Sequence, residues 1–160
     1  MHIARKTFQR FLGVENPEPD AILRLAHPTK TSELLKDVPH DELLNDENFP
    51  YRGRDLVFAE LVSFPWPVSP KQAVELAVLW GLTPLRYEDV FVWASIFSSY
   101  EKRNKIVFPH EPVYVRGEGP RITCSIHGAL GPIVGEYQTF PRSWSFGFAQ
   151  KRQPGTGFGN

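Results

Sequence analysis

Proline and glycine recur too often in this chain for any long unbroken element: 15 prolines and 12 glycines stand among 160 residues. Each proline removes a backbone donor, and each glycine weakens the helix or strand that holds it, so short elements joined by much ordered loop are expected. The length fits a single domain, residues 1–160, with one sizeable core. Aromatic residues make up 13% of the chain, enough for a packed core or an aromatic-lined surface.

The first two thirds read as helical. In residues 3–12, Ala4, Phe8, Phe11 and Leu12 share one helical face, with Arg5, Lys6, Gln9 and Arg10 opposite. An acidic, proline-stiffened linker follows to residue 19, and short helical pieces are expected at 20–26, 32–37 and 40–45, divided by Pro28 and Pro39. Residues 45–54 read as exposed loop. Residues 55–62 carry Val57, Phe58, Leu61 and Val62 at helical spacing, although so short an apolar run also suits a strand. The strongest local signal is Ser69-Pro70 followed by Gln72, a capping box with proline at the first helical position, closed by Gly81. A second helix is expected over 84–103. Its centre, Val90 to Phe97, is apolar nearly all round and so belongs in a core or an interface. Together the two make a central helical hairpin.

From residue 112 the hydrophobic period changes to two. Strands are expected at 112–117, 121–127, 133–140 and 143–150, with Ala129 to Pro132 as a four-residue loop and Pro141-Arg142 as a tight turn. Those turns set Ser125 opposite Glu136, Thr123 opposite Gln138 and Tyr137 opposite Phe146. One face then collects Ile122, Cys124, Ile126, Tyr137, Trp144, Phe146 and Phe148. The other collects Thr123, Ser125, His127, Glu136, Gln138, Ser143 and Ser145. The expected fold class is therefore α+β: N-terminal helices including the hairpin, then a C-terminal antiparallel β-meander of about four strands. Residues 151–160, with Lys151, Arg152 and three glycines, read as a flexible basic tail.

Charge and cysteine usage narrow the function classes. Eighteen basic and 18 acidic residues leave no net charge, which disfavours a nucleic-acid binder held by phosphate contacts and suits a standing protein partner or self-association. The single cysteine, Cys124, excludes an internal disulfide framework and points to a reducing, cytoplasmic setting. No run of 18 apolar residues spans a membrane, and the first residues lack the apolar core of a secretory signal. The five histidines, at 2, 27, 40, 110 and 127, show no paired metal-ligand spacing, and no cofactor motif occurs.

Three groups of residues are singled out. Ser125, His127 and Glu136 meet on the polar face of the expected sheet, where hydroxyl, imidazole and carboxylate together suit acid–base or hydrolytic chemistry. Tyr51, Arg52 and Arg54, with Lys151, Arg152 and Phe158, are basic loop segments interleaved with aromatics, suited to docking on a partner. Residues 71–93 have the rhythm of a helix-turn-helix, but Glu88 and Asp89 would then face phosphates. The leading expectation is a non-catalytic protein-binding or assembly protein acting through the aromatic and basic segments. A small enzyme using the polar sheet face is the alternative, and a degenerate nucleic-acid reader comes third.

Overall fold

The computed structural model describes residues 4–7, 30–53, 59–97, 105–135 and 138–150. Strands dominate them: β1 (Ala4–Thr7), β2 (Ala59–Ser63), β3 (Leu82–Pro84), β4 (Lys105–Val115), β5 (Gly119–Ile126), β6 (Ala129–Val134) and β7 (Ser145–Gln150). Three helices accompany them: α1 (Thr31–Leu34), α2 (Pro70–Val78) and α3 (Tyr87–Phe97). One mixed sheet runs in the order β1-β2-β7-β4-β5-β6, and β3 pairs with β7 off that path. All pairings are antiparallel except β4 with β7. This replaces the expected arrangement of N-terminal helices followed by a C-terminal meander. No helix among the described residues is long and apolar enough to cross a membrane.

The last strand overturns the meander. β7 does not return against β6. Phe140 bridges to Val68 through two backbone hydrogen bonds of 2.8 and 3.2 Å, and a turn at Pro141 to Trp144 follows. The chain then enters the middle of the sheet, between β2 and β4. Residues 145–149 are all buried. A strand covered on both faces and bonded on both edges belongs in the centre of a sheet.

A β5–β6 hairpin forms, but its turn is centred three residues earlier than expected. His127 (φ +54°) and Gly128 (φ +86°) both take the left-handed conformation that a two-residue hairpin turn requires. Ile126 therefore faces Ala129, Ser125 faces Leu130 and Thr123 faces Pro132. Ser125 thus meets a residue six positions before Glu136. An even displacement keeps every side chain on its own face, so the alternation survives while the partners change.

The polar face is not solvated. Thr123 and Ser125 are fully buried beside Ile106, Phe108 and Leu130, and α3 lies across them, with Trp93 and Phe108 ring centroids 5.1 Å apart. The opposite face gathers Val62, Val107, Ile122, Phe146 and Phe148 under Ala73 and Ala77 of α2. Over Thr123 and Ser125 a helix rather than water covers the sheet, which is why the polar alternation misleads there.

The helices follow their local signals more closely than their expected arrangement. α2 starts with the full capping box: Gln72 N–H donates to Ser69 Oγ (3.1 Å), and Ser69 N–H donates to Gln72 Oε1 (2.9 Å). β3 then intervenes, and α2 and α3 pack on opposite faces of the sheet rather than as a hairpin. α3 begins at Tyr87, where Asp89 Oδ2 accepts from Arg86 N–H at 3.0 Å, and residues 90–94 are all buried. In place of the first helix, β1 closes the outer edge of β2, which would otherwise offer unpaired backbone groups. Residues 20–26 lie outside the described residues. At 40–45 a bridge from His40 to Leu130 and side-chain turns at Asp41 and Asn45 replace a helix. Of the ambiguous run, residues 59–62 belong to β2, and residues 55–58 lie outside the described residues.

At Gly147 the Phe108 ring of β4 lies directly against the backbone of β7. A Cβ there would lie 2.6 Å from two ring carbons of Phe108, which is itself buried. Gly147→Ala should therefore destabilise the protein by about 1–3 kcal/mol through overpacking. Urea unfolding checks this, and adding Phe108→Leu should recover part of the loss.

Candidate binding site

The β4–β5 ladder breaks at a proline-bounded segment. Phe108 faces Thr123, and pairing resumes only at Val113 with Arg121, so residues 109–112 stand opposite Ile122 alone. Their sequence is Pro-His-Glu-Pro. Neither proline has an N–H for the ladder, and the strand bulges.

The bulge turns His110 inward. Its Nδ1–H donates to the Glu111 carbonyl (2.7 Å), which leaves Nε2 as acceptor for the Thr123 hydroxyl (3.1 Å). Only 3% of His110 is exposed, and burial pushes its pKa down from 6.5 to about 4, against smaller opposing effects of the Glu111 carbonyl and the Glu88 charge. The ring is therefore neutral near pH 7, and both nitrogens are engaged.

In front of the bulge lies a half-open cleft of about 860 Å³. Its walls come from residues 48–52, the first turns of α2, the start of α3 and the bulge itself, with Val113 and Ile122 contributing apolar surface. Five of its lining residues are prolines: Pro50, Pro70, Pro84, Pro109 and Pro112. Fixed φ angles make such walls rigid, and the missing N–H groups leave few backbone donors.

Arg52 edges the cleft and is tied to the fold. Its Nε and Nη2 donate to Glu88 Oε2 and Oε1 at 2.8 and 3.3 Å. The Glu88 side chain is fully buried, while that of Arg52 is 63% exposed. The guanidinium carbon sits 4.8 Å from the Tyr87 ring centroid, a stacked cation–π contact. The hydrogen bond to Glu88 raises the Arg52 pKa further. The Tyr87 hydroxyl donates to the Pro50 carbonyl, and its ring packs edge-on against Phe49, which is buried although its segment reads as exposed loop. Arg86 Nη2 donates to the Gly53 carbonyl at 2.9 Å.

The residues singled out in the sequence fare unequally. Arg52 lines the cleft, and Tyr51 is half-buried against the core. Ser125 is sealed beneath α3, its hydroxyl without a hydrogen-bond partner among the described residues, whereas His127 is exposed on the hairpin turn. The structure does not bring those two into one site. Glu136, Arg54, Lys151, Arg152 and Phe158 lie outside the described residues. Glu88 and Asp89, which a DNA-reading helix would expose, are buried. Among the described residues no group of three His, Cys, Asp or Glu is placed to hold a metal ion. The residues that build the cleft, Arg86, Tyr87, Glu88 and His110, are not legible as a site in the sequence. The one available signal is a pair of prolines, Pro109 and Pro112, flanking a His-Glu pair. No family model, curated protein or solved structure matches the chain.

Two measurements probe this site. Folded His110 stays neutral down to about pH 4, while the unfolded chain protonates it near pH 6.5. Its contribution is thus complete above about pH 6.5 and is lost as pH falls toward 4. Between pH 7 and pH 5 the wild type should lose about 2 kcal/mol more stability than His110→Asn, measured by urea unfolding at both pH values. Arg52→Ala strands the buried Glu88 carboxylate and should cost about 1–3 kcal/mol. In a Glu88→Gln background the same change should cost clearly less, which a double-mutant cycle reads directly.

Proposed function

We propose that the protein acts by binding, and that it takes an extended segment of a partner protein into the proline-rimmed cleft. The observation that carries this reading is the cleft itself, whose walls are fixed before any ligand arrives. Five lining prolines, the His110 bonds and the Arg52–Glu88 pair hold its sides. A preorganised site spends little of its interaction energy on ordering itself. Its volume lies in the usual range for ligand sites. The apolar surface of Val74 and Val113, together with the cations Arg52, Lys71 and Arg86 that also line the cleft, suits a segment of mixed character.

Chemistry at Ser125, His127 and Glu136 is the competing proposal. The burial of Ser125 beneath α3 counts against it. His110, the histidine that does line the cleft, has no free nitrogen to act as an acid or base. Arg52 keeps its place among the proposed partner-binding residues because it edges the cleft.

The test blocks the cleft from an exposed position. Glu111→Trp puts an indole at the mouth, and Arg142→Trp places one at an exposed position outside it. Both variants should unfold within about 0.5 kcal/mol of the wild type, as surface changes do. Wild type and Arg142→Trp should capture the same protein from a lysate of the source cells, identified by mass spectrometry, and Glu111→Trp should lose it. Equal capture by all three would place binding elsewhere.

A further inference from the structure

The bulge that walls the cleft is fastened differently from the strand on either side of it. Lys105 to Phe108 and Val113 to Val115 have register partners on β5, whereas residues 109–112 have none. Pro109 and Pro112 carry no N–H, and the Nδ1–H of His110 is taken up inside the bulge by the Glu111 carbonyl. Among the described residues one side-chain hydrogen bond ties the bulge to β5, in which His110 Nε2 accepts from the Thr123 hydroxyl at 3.1 Å. The ring also meets Tyr87 of α3 edge-on, with centroids 6.2 Å apart. Glu111 and Pro112 are already exposed, so Pro109 and His110 alone in the bulge are covered.

That tie needs a neutral ring. With Nδ1 donating, Nε2 offers a lone pair to the Thr123 O–H, and donor meets acceptor. A second ring proton sets two donors face to face. The Thr123 hydroxyl, which has no other partner among the described residues, would have to turn round and accept. The imidazolium would also sit where only 3% of the residue reaches water, and burial disfavours the charged form. The Glu111 carbonyl and the Glu88 charge oppose that only in part. Glu88 is itself buried and gripped by Arg52, and Glu111 acts on Arg52 as well. The other charges on the cleft walls are Lys71, Glu75 and Arg86.

We propose that the bulge is an acid-released wall of the cleft: when His110 takes up its second ring proton, residues 109–112 let go of Thr123 and carry the imidazolium out to solvent, while the ladder on either side stays closed. The movement breaks one described side-chain hydrogen bond and uncovers one ring, and it needs no ladder bond to part. In water the ring titrates near 6.5, against about 4 in its closed position. The open arrangement therefore gains as pH falls below 6.5, and its ratio to the closed one grows about 20-fold between pH 7 and pH 5. Acid thus reshapes one wall of the cleft, whatever the cleft binds.

The test is NMR on the full chain, titrated from pH 7 to about pH 3.5 with a neutral gadolinium chelate in the solvent. The chelate broadens only protons that it can approach, so the His110 ring protons report both the charge of the ring and its exposure. As His110 protonates, its ring protons and the amides of His110 and Glu111 should gain paramagnetic broadening in step with that 20-fold rise. The core protons of Phe146 and Phe148 should stay shielded. His110→Gln cannot take the proton, and its bulge should show the same broadening at every pH. Glu111→Gln keeps the backbone carbonyl and should respond as the wild type does. A ring that protonates while still shielded overturns the proposal. Protonation that comes only with exposure of Phe146 and Phe148 overturns it too, because the whole sheet has then opened. The wild type alone decides these outcomes, so the test does not hang on a variant folding. Acid exposure that persists in His110→Gln, or vanishes in Glu111→Gln, moves the trigger to another group and overturns the assignment to His110.

Discussion

The ring of Phe108 lies against the backbone of Gly147, where β4 and β7 run side by side in the same direction. On one edge β7 meets β2. On the other it meets β4 through Ser145 and Phe146, then β3 through Phe148 to Gln150. Gly147 sits at the changeover, and the absence of a side chain there lets Phe108 settle onto the sheet and Trp93 of α3 settle onto Phe108. The packing of α3, the burial of Thr123 and Ser125, and the join between the two halves of the sheet all depend on that close approach.

The same strand that supplies Phe108 also makes the cleft. Immediately after Phe108 the ladder fails at Pro109, and the four residues of the bulge carry His110 into a closed hydrogen-bonded position. Stability and recognition are therefore adjacent along one strand: core on one side of the Phe108–Pro109 bond, site on the other. Arg52 in the cleft wall is anchored to α3 through Glu88, so both walls refer to the same helix–sheet packing.

Some of this was legible in the residues and some was not, and the division has a physical cause. The capping box at Ser69 and Gln72 is a local interaction within four residues, and it forms as read. The apolar centre of α3 is buried, as its composition requires. Alternation along β5 and β7 assigned side chains to faces correctly, with Ile122, Phe146 and Phe148 in one cluster. What failed was non-local. Alternation carries no information about which strand lies alongside, so the insertion of β7 between β2 and β4 was invisible. Nor does it say whether a polar face meets water or a helix, and Ser125 meets α3. The cleft was hidden for a similar reason, because Arg52, Glu88 and His110 are brought together only by the sheet and its bulge.

The position of β7 also dictates an order of assembly. Its residues follow every other described strand in the chain, yet they occupy the middle of the sheet. Until they arrive, the inner edges of β2 and β4 have no common neighbour, and the aromatic faces of two half-sheets stay open to solvent. Contacts that span the chain in this way make folding slow compared with a helical bundle. The chain cannot lock its architecture piece by piece from the N-terminus; it must wait for its last described strand to act as the keystone.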